Sequence, residues 1–111
     1  MEIAREQDGE VAIVRLTGRF DSSAAPSAET GFNAALGAGV PRLAVDMTGL
    51  EYISSAGLRV LLVMAKKIQQ AGGKVALFGL VPNVREVFSV SGFDTIFSIQ
   101  PDAATAVAAV R

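Results

Sequence analysis

Ser54 and Ser55 are the residues of this sequence best placed to do chemistry. They fall where a short apolar strand pattern, Leu43 to Met47, gives way to the most apolar helical pattern in the chain, about Ser55 to Ala71. The first N–H groups of a helix have no partner within it, and the summed peptide dipoles make that end partly positive. A serine at this point can cap the helix, worth about 1 kcal/mol. A phosphate carried there would meet waiting donors. Gly57 follows in the first turn, where a glycine costs roughly 1 kcal/mol of helix stability and invites a close neighbour. On the residues alone, cap and phosphate acceptor are both open for each serine.

Other reactive groups are sparse. The chain has no histidine and no cysteine, which removes the usual general base, the usual nucleophilic triads and thiolate metal sites. Lys66, Lys67 and Lys74 occupy surface-like positions. Asp21 and Asp46 could act as a carboxylate pair if two strand ends meet, or serve as a turn or cap residue and a polar strand end. No P-loop and no GxGxxG pattern is present. Catalysis is not expected, and no cofactor or metal is implied.

These groups need a scaffold, and the composition supplies one. With 111 residues, half of them hydrophobic, the chain is long enough for one domain, residues 1–111, with a core of its own. A net charge of -1 without a basic cluster argues against a nucleic-acid surface. The opening residues Met1 to Glu6 lack the apolar core of a signal peptide, and the longest apolar run, Val60 to Ala65, is too short to span a bilayer. A soluble, cytoplasmic protein without membrane insertion is expected.

Periodicity sets the elements. Glu2 to Glu6 and Val11 to Leu16 read as strands around an Asp8-Gly9 hairpin pair, and Thr17 to Ser23 breaks the run. Ala25 to Ala38 reads as a helix with Pro26 in its first turn, ended by Gly37, Gly39 and Pro41. Arg42 to Met47 is apolar nearly throughout, as a central strand should be. In the helix from Ser55, residues Val60, Leu61, Met64, Ala65, Ile68 and Ala71 share an inward side. Ser55, Arg59, Leu62 and Lys66 form the outward stripe, with Leu58 and Val63 on the flanks. Gly72-Gly73 closes it. A strand Lys74 to Phe78, a helix Pro82 to Val90 closed by Gly92, a strand Thr95 to Ile99 and a helix Pro101 to Val110 follow. The order β-β-α-β-α-β-α-β-α predicts an α/β fold with a mixed, mostly parallel sheet.

The stretch from Leu43 to Leu62, with Ser54-Ser55-Ala56-Gly57-Leu58 at its centre, resembles the signature of STAS domains, and within them the bacterial anti-sigma factor antagonists. Arg15 to Asp21, Gln70 to Val75 and Val84 to Phe93 resemble further segments of that family, so the likeness covers nearly the whole chain in order. It implies helices packed mainly on one face of the sheet. It also implies a switch. The unphosphorylated antagonist binds an anti-sigma factor that is also a serine kinase and so frees a sigma factor. Phosphorylation ends the binding, and a metal-dependent serine phosphatase restores it. By this resemblance the acceptor is Ser55, with Ser54 as the alternative, since the family position before the acceptor is often aspartate and is serine here. Asp21, Ser54, Ser55, Ala56, Gly57, Arg59, Leu62 and Lys66 then form the partner-binding set, and Asp21 and Asp46 match polar positions near the acceptor. Arg59, one turn on from Ser55, is either a phosphate partner or a solvated surface residue. A STAS-type accessory subunit of a lipid-transport or sensory complex, without a kinase, is the competing expectation. An enzyme built on Asp21 and Asp46 is the third.

Overall fold

The computed structural model describes residues 1–37 and 41–111. Its elements are β1 (Glu2–Asp8), β2 (Val11–Phe20), α1 (Ala25–Leu36), β3 (Arg42–Ile53), α2 (Ser55–Gln70), β4 (Lys74–Phe78), α3 (Pro82–Val90), β5 (Ser98–Gln100) and α4 (Ala103–Val110). The strands form one sheet in the order β1-β2-β3-β4-β5, with β1 antiparallel to β2 and the remaining pairs parallel. Because each parallel strand is laid down beside the previous one in a single direction, right-handed crossovers must place α1, α2 and α3 on the same face. That face carries the larger core, with Leu16, Phe20, Phe32, Met47, Leu61, Ile68 and Phe88 almost fully buried. No crossover constrains α4, and it covers the opposite face through Ala106, Val107 and Val110, packed near Ile13, Ala44 and Phe78. The expected α/β class, with helices mainly on one face, is what the chain adopts.

Several boundaries differ from the sequence expectation, for identifiable reasons. The hairpin loop is Gly9-Glu10, since Asp8 pairs with Val11, and Gly9 with φ +60° takes the first loop position, as a II′ turn requires. β2 does not break at Thr17 but continues to Phe20, and β3 does not stop at Met47 but reaches Ile53. Their pairing shifts register twice, between Arg15 and Thr17 and between Gly18 and Arg19. Such bulges insert residues without ending the ladder. Gly18, with φ +103°, accommodates one of them. As a result Met47, Leu50 and Ile53, three residues apart, all reach one core, which a period of two cannot produce.

Residues 93–97 are not a strand. Phe93–Thr95 forms a 3-10 turn, and Phe93 and Phe97 pack edgewise on Phe88 at ring separations of 6.4 and 5.8 Å. β5 therefore starts only at Ser98. α4 starts at Ala103, not Pro101, where the Asp102 carboxylate accepts from the Thr105 N–H at 2.9 Å. In α2 the buried residues are Gly57, Leu58, Leu61, Met64 and Ile68. Leu58 is thus a core residue rather than a flanking one, and Ala71 is exposed as the C-cap. The expected last residue of α1, Ala38, and its expected terminator Gly39 lie outside the described residues.

Candidate functional site

β2, β3 and β4 all leave the sheet at one edge, where α1, α2 and α3 begin. In open parallel sheets this edge is where sites are built. Ser54 joins the two central strands there. Its N–H and its hydroxyl both donate to the Phe20 carbonyl, at 2.9 and 3.1 Å. The same hydroxyl oxygen accepts from the Gly57 N–H at 3.2 Å, and the Ser54 carbonyl accepts from the Leu58 N–H at 2.9 Å. Ser54 is therefore the N-cap of α2, with its hydroxyl proton and a lone pair both engaged.

Ser55 is the first helical residue and is exposed. Its hydroxyl makes no hydrogen bond among the described residues. Gly57, between them and the core, is buried. A Cβ there would sit 2.9 Å from Ile53 Cγ1, Phe20 Cγ and the Phe20 carbonyl oxygen. The glycine lets α2 press onto the end of β2 and does not reach the outer surface. It belongs to the support of the site.

The remaining residues of the expected partner-binding set separate into groups. Arg59 and Lys66 are exposed on α2, and Leu62 and Ala56 are half-buried. Arg59 lines a small opening of about 110 Å³ between α1 and α2, with Glu29, Phe32, Val63 and Met64. Leu62 and Lys66 face away from it, toward β4 and β5. Asp21 follows β2 directly, and its carboxylate accepts from the Ser23 hydroxyl at 2.6 Å and from the Ser23 and Ala24 N–H groups at 3.1 and 3.2 Å. The Ser23 hydroxyl is the largest of the influences that hold the Asp21 carboxyl below its ordinary range. Asp21 thus organises the turn into α1 one residue from Phe20, whose carbonyl Ser54 holds.

Asp46 is not brought to the serines. It lies mid-strand opposite Arg15, five residues before Phe20 and on the order of 15 Å down the sheet from the Phe20 carbonyl that Ser54 holds, and its side chain turns to the α4 face. Its carboxylate accepts from Arg15 at 3.0 Å and from the Thr48 hydroxyl and N–H at 2.6 and 2.9 Å. Burial pushes this carboxyl up, but the Thr48 and Arg15 contacts outweigh it and hold it below its ordinary value. The expectation that Asp46 stands near the acceptor is corrected, and with it the idea of an Asp21–Asp46 pair.

Two residues at the edge escaped the sequence reading. The Asn83 side-chain amide donates to the Glu51 carbonyl at 2.6 Å, tying the start of α3 to the end of β3. Tyr52 lies under the Arg19 guanidinium, 4.3 Å from its ring centroid. The Arg19–Tyr52 contact depends on the second register shift, which makes them neighbours, and no local pattern announces it. Among the described residues no helix is long and apolar enough to cross a membrane.

This chain belongs to the STAS domain family, which it matches over residues 2–106. A candidate anti-sigma factor antagonist of Bordetella bronchiseptica, BtrV, is 38% identical over 111 residues, 100% of this chain and 96% of that protein. The crystal structure of an anti-sigma factor antagonist from Mycobacterium paratuberculosis matches with a TM-score of 0.89 at 26% identity, over 99% of this chain and 93% of that one. The Bacillus cell fate determinant SpoIIAA, in its phosphorylated form, shares the fold with a TM-score of 0.74 at 22% identity, over 99% of this chain and 100% of that one.

Proposed function

We propose that this chain is an anti-sigma factor antagonist switched by phosphorylation of Ser55. Unphosphorylated, it docks an anti-sigma factor that is also a serine kinase, and so releases a sigma factor. Phosphorylated, it lets go until a serine phosphatase restores it. All of this takes place in the cytoplasm. Ser55, Arg59, Leu62 and Lys66 form the docking surface along α2, with Ala56 beside it and Asp21 and Ser54 behind it. The family and the antagonists among its relatives support the class of partner.

The observation that carries the acceptor is the division of labour between the two serines. The Ser54 hydroxyl is spent on Phe20 and Gly57, whereas that of Ser55 is exposed and makes no hydrogen bond among the described residues. Phosphate adds about -1.5 to -2 charges and three acceptor oxygens. At the first turn of a helix the fold tolerates it, because the dipole favours an anion. The cost falls on the docked partner, where a loss of about 3 kcal/mol weakens binding more than a hundredfold.

The test is intact-mass and peptide mapping after incubation with host lysate and ATP, with Ser55→Ala and Ser54→Ala alongside. One phosphate on Ser55, absent only from Ser55→Ala, is the expected result. Phosphate on Ser54 would move the acceptor. No phosphate under conditions that label another antagonist would favour an accessory subunit without a kinase.

A further inference from the structure

We propose that the groove on the β5 side of α2 is a second part of the docking surface, and that it receives an acidic, leucine-bearing segment of the protein partner. This rests on the reading of α2 as the docking ridge. The groove exists because β5 is short. β5 pairs only with Ala76, Leu77 and Phe78, so Lys74 and Val75 begin β4 with no β5 residue opposite them. The chain that leads into β5 stands off instead, leaving Ile96 56% exposed. The opening measures about 430 Å³. Leu62, Ala65 and Val75, all half-buried, and the exposed Ile96 give it apolar walls.

Charge and position choose the occupant. Lys66 and Lys74 stand on the rim, the Lys74 ammonium donating to the Arg111 carbonyl oxygen at 3.4 Å, and no Asp or Glu side chain lines the groove among the described residues, although the chain as a whole carries a net charge of -1. A complementary segment is therefore acidic, with a large apolar side chain to fill the floor. The opening between α1 and α2 is different: it is smaller and mixes Glu29 with Arg59 and Lys67. The groove runs along α2 from Leu62 to Gln69, a rise of ~10 Å, which suits a polypeptide segment.

It is also continuous with the switch. At about 100° per residue, Leu62, Lys66 and Gln69 lie within about 40° of Ser55 around the helix. From Ser55 to Gln69 the helix rises ~21 Å. A stable complex buries about 800 Å² on each partner, a patch roughly 30 Å across. A footprint of that size centred on α2 covers Ser55 and the groove together, so one partner contacts both.

The experiment titrates methyl-labelled protein with an acetylated peptide of alternating leucine and glutamate, and with a matched peptide of leucine and lysine, followed by NMR. Shifts at the Leu62, Val75 and Ile96 methyls with the acidic peptide alone are expected. The Lys66→Glu/Lys74→Glu variant, altered only at exposed positions, should bind about tenfold more weakly, with its other methyl signals unchanged. Equal shifts with the lysine peptide, shifts confined to another surface, or no shifts would overturn the proposal. So would a concentration-dependent dimer, seen by sedimentation, that the double variant dissolves, because the groove would then belong to a second copy. The titration contains neither kinase nor ATP. Groove shifts in a chain that no lysate phosphorylates would remove the switch and keep the groove. Phosphorylation of Ser55 without groove shifts would do the reverse.

Discussion

Replacing Gly57 by alanine places a methyl carbon 2.9 Å from Ile53 Cγ1, Phe20 Cγ and the Phe20 carbonyl oxygen. None of these turns aside cheaply: Ile53 Cγ1 is the branch atom of a β-branched side chain held in the core. The Phe20 ring is fully buried, and its carbonyl already accepts from both the N–H and the hydroxyl of Ser54. Relief must come from lifting the first turn of α2 off the end of β2. Overpacking of this kind costs typically about 1–3 kcal/mol. Against it stands the gain of up to ~1 kcal/mol for alanine over glycine in a helix. The net expectation is a loss of about 1 kcal/mol. With a urea dependence of about 1–3 kcal/mol per molar, the midpoint should fall by roughly 0.5 M. The lifted turn should also weaken the Ser54 cap, read as faster amide exchange at residue 57. An unchanged or higher midpoint with unchanged exchange would refute the reasoning: α2 would then not need a glycine to reach β2.

Two further perturbations separate structural from switching roles. Ser54→Ala should cost about 1 kcal/mol by urea unfolding, through loss of the Gly57 cap, while mass spectrometry still finds phosphate on Ser55; loss of phosphorylation with intact folding would contradict the assignment of Ser54 as a cap alone. The Asp46 carboxyl is held below its ordinary value of 3.8 in the folded chain, so its contribution is fully present above that value and is lost as pH falls through the lowered one. Asp46→Asn should therefore cost ~1 kcal/mol at pH 7, and the gap in urea midpoint between variant and wild type should narrow by pH 3. A gap independent of pH would show that the charge on Asp46 does not matter to the fold.

Much of this protein follows from its sequence because the interactions concerned are local. Caps, prolines, glycines and apolar periods act within about one helical turn, and they suffice to place β4 and α3 within their observed bounds and to set Ser54 and Ser55 at a strand-to-helix junction. The same rules misjudge β2 and β3, because the bulges that carry both strands past Thr17 and Met47 are properties of the pair. The roles of the two serines divide only in three dimensions. Side by side in sequence, they differ because the partner of one hydroxyl, the Phe20 carbonyl, lies 34 residues away and arrives only when β2 pairs with β3. Asp46, although near Ser55 in sequence, is carried off by an extended strand and claimed by Arg15. The groove beside Leu62 likewise exists only because the Phe88, Phe93 and Phe97 rings hold the chain in a turn until Ser98. Local preference decides which elements form and where they begin. Burial, and distant hydrogen-bond partners such as the Phe20 carbonyl, are decided by segments far apart in the chain, and those determine which serine hydroxyl remains free.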